Sequence, residues 1–180
     1  MQKIIGIIVG VSLMFCGCKK HANVDILRHG ELVATINGMY WSGVVDPRMN
    51  TSSFSIYADV LKQDVAGNRF SQERLLMEMI KEEQGKQILH AVDYNAVSGL
   101  ERTSALFYTS QESGHAGCEN FEVLESDSAN NYIEITRQER DYAEIWGRFS
   151  LTLYKTSSYC PSARYADTIR IRDGNFHVVF

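Results

Sequence analysis

Cysteine and histidine offer the most chemistry in this 180-residue chain, and their spacing decides how much of it can be used. Cys118 would be a nucleophile only with a base to take its proton, and His115, three residues earlier on a glycine-containing loop, is the nearest candidate. Cys160 competes for the same sulfur. It lies forty-two residues on with no CxxC nearby, which disfavours a metal or redox pair. In an oxidising compartment, Cys118 and Cys160 are expected to form a disulfide. Closing that loop stabilises a fold by about 4 kcal/mol in the chain-entropy model. The histidines His21, His29, His90, His115 and His177 show neither HExxH nor paired spacing, so no metal centre is expected. Asp127-Ser128-Ala129-Asn130-Asn131 offers oxygens suited to Ca²⁺ but lacks EF-hand order and reads as a turn. No GxSxG is present, since Val97-Ser98-Gly99 lacks the first glycine of a nucleophile elbow. No catalytic residue or cofactor is assigned. Aromatic residues are the remaining resource. Tyr40, Trp41, Trp146, Tyr154, Tyr159 and Tyr165 fall outside the expected core set, and Trp41, Trp146 and Tyr154 are the candidates to face a ligand. The competing reading has Trp146 and Tyr154 covering the outside of a sheet or packing under segment 71–92.

The first residues, MQKIIGIIVGVSLMFCGCKK, set the compartment in which these groups would act. Lys3 supplies a positive start, and Ile4 to Phe15 carries no charge. A twelve-residue helix is about 18 Å long, short of a hydrocarbon core of roughly 30 Å. The run suits the apolar region of a signal peptide, which is removed on maturation. Gly17 directly before Cys18 resembles the lipobox of bacterial lipoproteins, which implies acylation of Cys18, palmitate included. Phe15 stands where leucine is usual, and Cys16 is a rival that follows a bulky residue. The expected organisation is a signal peptide over 1–17, a lipidated cysteine and polar tether over 18–30, and one domain over 31–180. Several acyl chains on one residue make a stable anchor at ~0.8 kcal/mol per buried CH₂. The lipid would therefore hold the protein in the cell envelope, with the outer membrane expected. Lys19-Lys20-His21 after the cysteine leans towards its periplasmic face. The formal net charge is −4 and no basic stripe appears, which argues against nucleic acid.

The elements that would position side chains follow a period of two. Leu32, Ala34 and Ile36 share one face, and Asn37-Gly38 is a strong hairpin signal because a type I′ turn needs φ > 0 at both central positions. Met39-Tyr40-Trp41 starts the return strand, and Asp46-Pro47-Arg48 is expected to break it. Phe54, Ile56, Ala58 and Val60 form the next face. Segment 71–92 is ambiguous. Ser71 could cap a short helix near 71–83 with Leu75, Leu76, Met79 and Ile80 on one side, or Leu75, Met77 and Met79 could alternate in a strand. From Thr103 onward strands dominate. The clearest is Ile145 to Lys155, with Gly147, Phe149, Leu151 and Leu153 facing one way. A last hairpin is expected at Asp173-Gly174, with Ile169, Ile171, Phe176, Val178 and Phe180 inward. The predicted fold is all-β, an antiparallel β-sandwich or barrel.

Three blocks and the leader carry a resemblance. Val33-Ala34-Thr35-Ile36-Asn37-Gly38-Met39-Tyr40-Trp41, Gly147-Arg148-Phe149-Ser150-Leu151-Thr152-Leu153 and Ile169-Arg170-Ile171-Arg172-Asp173-Gly174-Asn175-Phe176 resemble a family of small, lipid-anchored β-rich envelope proteins of Gram-negative gut anaerobes. The resemblance implies an antiparallel β-sandwich, tips 73–81 towards strand and brings no catalytic residues. The expected role is a non-enzymatic module that meets a protein or glycan ligand at the membrane. Two alternatives stand beside it: surface carbohydrate recognition through exposed aromatics, and an envelope hydrolase built on loop residues around His115 and Asp127.

Overall fold

The period-two runs become ten strands: β1 (Gly30–Ile36), β2 (Met39–Met49), β3 (Ser53–Gln63), β4 (Arg69–Lys81), β5 (Gly85–Ile88), β6 (Ser104–Ser110), β7 (Gly117–Val123), β8 (Tyr132–Glu139), β9 (Glu144–Ser158) and β10 (Thr168–Val179). They belong to a computed structural model that describes residues 29–96, 102–111, 116–161 and 163–180. The strands form an antiparallel sheet in the order β10-β1-β2-β3-β4-β6-β7-β9-β8-β5, and an added β10–β9 pairing closes eight of them into a barrel. Closure pairs each of those eight strands on both sides over part of its length.

Local chemistry explains each turn of this course. Asn37 (φ +51°) and Gly38 (φ +83°) make the expected β1–β2 turn. Pro47 does not end β2: it pairs with Ile56 of β3, while the β1–β2 pairing ends at Val44. Among the described residues one side of Pro47 has no ladder partner, and a missing N–H is tolerated on such a side. The helix considered near 71–83 is not formed, and β4 runs through that segment, paired on both sides. Tertiary pairing overrides local propensity here. Leu75 and Met77 point inward. A register shift then brings Ile80 inward in place of Met79, whose φ is +55°. Asp173-Gly174 is likewise a bulge inside one continuous β10 rather than a hairpin. The extra residue changes the phase, so Ile169 and Ile171 before it and Phe176 and Val178 after it all face the core. Two reciprocal pairs brace this bulge: Phe176 lies across Gly147, and Phe149 lies across Gly174. A Cβ at Gly147 would run into the Phe176 ring and the Glu134 carbonyl.

Between β4 and β9 the wall forks. The C-terminal half of β9 pairs with β7, and the N-terminal half pairs with β8, which carries β5. Asn131 pins the fork. Its Oδ1 accepts the Thr152 N–H at 2.7 Å, its Nδ2 donates to the Leu124 carbonyl at 2.8 Å, and its own carbonyl accepts the Leu89 N–H at 3.0 Å. Gln87 closes the lower seam by imitating a peptide group, since its amide accepts the Lys81 N–H at 2.9 Å and donates to the Lys81 carbonyl at 2.8 Å. Asn131→Leu strips one buried and one part-buried backbone group of their partners and should cost about 2 kcal/mol. A urea titration in which that variant matches wild type would contradict this account of the fork.

The inward faces fill the barrel with Leu32, Ile36, Phe54, Ile56, Leu75, Met77, Phe107, Phe121, Phe149, Leu151 and their neighbours. Phe180 closes the lower end edge-on to Phe54, with ring centroids 5.6 Å apart. The chain reaches β1 at this same end, where Val179 donates its N–H to the His29 carbonyl at 2.7 Å. The Asn37-Gly38 turn, the turn between Asp64 and Asn68 and the β9–β10 connection lie at the other.

Candidate functional site

The upper end of the barrel interior departs from the apolar rule. β4, β6 and β7 place Glu73 opposite Thr109 and Thr109 opposite Glu119, so three inward polar side chains stand in one cross-strand row. All three are buried, Thr109 and Glu119 completely. Lys155, on the inward phase of β9, lies 2.8 Å from Glu119 Oε1 and also donates to the Tyr165 carbonyl at 2.7 Å. Trp41 of β2 donates its indole N–H to Glu73 Oε2 at 2.8 Å. The β9–β10 connection completes the cluster. Arg164 Nη1 meets Glu73 Oε1 at 2.9 Å, and the Arg164 backbone N–H donates to Glu119 Oε2 at 3.0 Å. The Tyr165 ring packs edge-on against Phe107 and Phe121, with centroids 5.7 and 6.2 Å away. Burial, reinforced by Glu73, pushes the Tyr165 phenol well above its ordinary range, so it stays protonated as a donor.

The expected disulfide is present: Cys118 and Cys160 are bonded, with Cα atoms 5.1 Å apart. It clamps the β9–β10 connection to β7 immediately beside Glu119, and the Tyr159 N–H adds a 2.7 Å bond to the Cys118 carbonyl. Its position explains why the connection can present Arg164 and Tyr165 to the barrel interior. The bonded sulfur is not available to a Cys118–His115 pair, and His115 lies outside the described residues.

The other residues singled out from sequence lie apart from one another. Trp41 is 6% exposed and faces the interior, which corrects its assignment as an outward aromatic. Trp146 faces outward, but its cross-strand neighbours Arg137 and His177 flank it. His177 stacks on it at 4.5 Å with an interplanar angle of 3°, and the Arg137 guanidinium carbon sits 4.4 Å from the ring centre. Tyr154 is on the same outer face of β9 eight residues away, about 27 Å along the strand. The three aromatics thus form no common strip. Asp127 is engaged within its own neighbourhood: the Thr152 hydroxyl donates to it at 2.6 Å and Asn130 Nδ2 at 2.7 Å. Those two bonds hold its carboxyl below the usual range. Among the described residues, no group of three or more histidine, cysteine or carboxylate side chains is placed to hold a metal ion.

Of the aromatics singled out from sequence, Tyr40 and Tyr159 are well exposed, and with the exposed Met39 and Val65 they sit on turns or strand ends around the upper mouth. Shallow grooves of 680 and 350 Å³ flank Glu31 and His177 on the outer wall. The polar row is hidden in the sequence because Glu73 lies in the ambiguous segment 71–92 and Glu119 lies next to Cys118, close to the glycine-containing loop at His115. A charged residue on the inward phase of a strand was the available signal. Comparisons with family models, curated proteins and solved structures return no match to this chain.

Proposed function

We propose that this chain is a lipid-anchored cell-envelope protein whose barrel acts as a non-enzymatic module, meeting a protein partner with the end furthest from the tether. The leader and Cys18 support the anchor. The arrangement of the barrel's two ends carries the reading. The chain reaches β1 at the end closed by Phe180, and the disulfide-clamped mouth with its exposed Met39, Tyr40, Val65 and Tyr159 lies opposite. Apolar side chains grouped around a rigid rim are the kind of surface that anchors a partner. The disulfide is consistent with an oxidising envelope compartment. A glycan platform draws less support, because Arg137 and His177 cover Trp146 and Trp41 is buried.

Metabolic labelling with an alkyne-bearing fatty acid tests the anchor. Wild-type protein should carry the label and sediment with membranes, and Cys18→Ser should lose both properties. Unlabelled protein that still begins at Met1 would contradict the proposal. Cross-linking from rim residues in intact cells tests the partner-facing half.

A further inference from the structure

We infer that the upper mouth of the barrel contains a binding site for a guanidinium group, and that Arg164 of the chain's own β9–β10 connection occupies it in this structure. The inference rests on the interior row and depends neither on the tether nor on the apolar rim.

Small barrels usually fill their interior positions with apolar side chains, and two buried carboxylates commonly cost more than the hydrophobic residues that could replace them. A purely structural mouth would not need them. Glu73 and Glu119 nevertheless stand on either side of Thr109, all three facing inward. The Thr109 hydroxyl is fully buried and has no hydrogen-bond partner among the described residues. That hydroxyl stays unpaired with Arg164 in place, so Arg164 leaves one buried polar group of the row for an outside ligand to use.

The row is shaped for a flat cation. The Trp41 indole donates to Glu73 Oε2, the Tyr165 phenol also hydrogen-bonds this carboxylate, and Oε1 accepts Arg164 Nη1 at 2.9 Å. Phe107, Phe121 and Tyr165 supply aromatic walls, against which a guanidinium is better accommodated than a compact, strongly hydrated ammonium. Charge sets the number of occupants. Lys155 neutralises one carboxylate, so withdrawing Arg164 leaves the wall with one uncompensated negative charge. Arg164 arrives on a connection rather than on a wall strand and remains partly exposed, so a competing guanidinium can reach the same acceptor. A site occupied by its own side chain binds an outside ligand with an affinity reduced by the fraction of time it is vacant.

The site carries its own reporter, since Trp41 touches Glu73 and the only other tryptophan is Trp146. In a Trp146→Phe background, Arg164→Ala should give a saturable change in Trp41 fluorescence on titration with arginine amide. The apparent dissociation constant should be about tenfold or more below that measured with Arg164 present. Lysine amide should bind more weakly, and Glu73→Gln added to Arg164→Ala should abolish the response. An end-blocked Gly-Arg-Gly peptide separates the two sources of the group. Binding of both probes points to an arginine side chain of a polypeptide, and binding of arginine amide alone points to a free guanidinium compound. If Arg164→Ala loses its circular-dichroism signature of folding, Arg164→Gln serves in its place, with the same outcomes. A folded variant with no saturable response, or with one that survives Glu73→Gln, would overturn the inference.

Discussion

Lys155→Met should destabilise the domain by about 3–5 kcal/mol, a large fraction of the 5–15 kcal/mol that ordinarily holds a domain together. The methionine nearly matches the lysine in length, so packing is largely kept and the effect isolates charge. Glu119 has no solvent exposure at all, and Lys155 Nζ at 2.8 Å is the cation on its Oε1. Without it the carboxylate retains one 3.0 Å bond from the Arg164 N–H, and the Tyr165 carbonyl loses its 2.7 Å donor. An ionised group left in an apolar interior is penalised far more than an ion pair is rewarded, which makes the single change costly. One further readout separates this cause from general damage. Adding Glu119→Gln to Lys155→Met should recover part of the loss, because the stranded charge is gone. Urea midpoints of the two variants would measure it. A loss below 1 kcal/mol would mean that Glu119 is not confined as described.

Converting Cys118 and Cys160 together to alanine should cost about 4 kcal/mol, the chain-entropy value for a loop of this length. Most of that loss arises in the unfolded chain, which regains the freedom of the segment between the two positions. A second part arises in the folded state. The disulfide holds the β9–β10 connection beside Glu119, and Arg164 and Tyr165 reach the mouth from that connection. The alanine variant should therefore show faster amide exchange at Arg164 and Tyr165 than at Phe149 or Leu151 in the barrel wall. Uniform protection across these residues, with an unchanged melting curve, would contradict the clamp.

Much of the fold was legible because strand alternation is a local signal. The faces Leu32-Ala34-Ile36, Phe54-Ile56-Ala58 and Phe149-Leu151-Leu153 all point into the barrel as their spacing requires. The cysteine pairing was legible from compartment and spacing. What was not legible depends on partners distant in sequence. Pro47 stays in β2 because it pairs with β3 beyond Val44, where the described β1–β2 pairing stops, and Asp173-Gly174 becomes a bulge because both β1 and β9 continue to pair past it. A turn dipeptide cannot announce which of these it will be. The 71–83 segment carries helix-forming residues, and only its pairing with β3 and β6 decides for strand. Barrel closure rests on the β9–β10 register and not on any residue type. The polar row at the mouth is the least local feature of all. Glu73, Thr109, Glu119, Lys155 and Arg164 come from five separate segments, so their meeting is visible only once the wall is closed.

The central proposal is that the barrel works through the end opposite the one at which β1 begins. Site-specific photo-cross-linking in intact cells tests it most directly, with the reactive residue placed in turn at Tyr40, Tyr159 and Ile88. Tyr40 and Tyr159 lie on the upper rim, and Ile88 is an exposed apolar residue on the β5–β8 arm lower down. The account predicts one discrete adduct shared by positions 40 and 159, absent at 88, and lost when Met39, Tyr40 and Tyr159 are all changed to serine in protein cross-linked from position 65. An adduct formed at 88 but at neither rim position would contradict it.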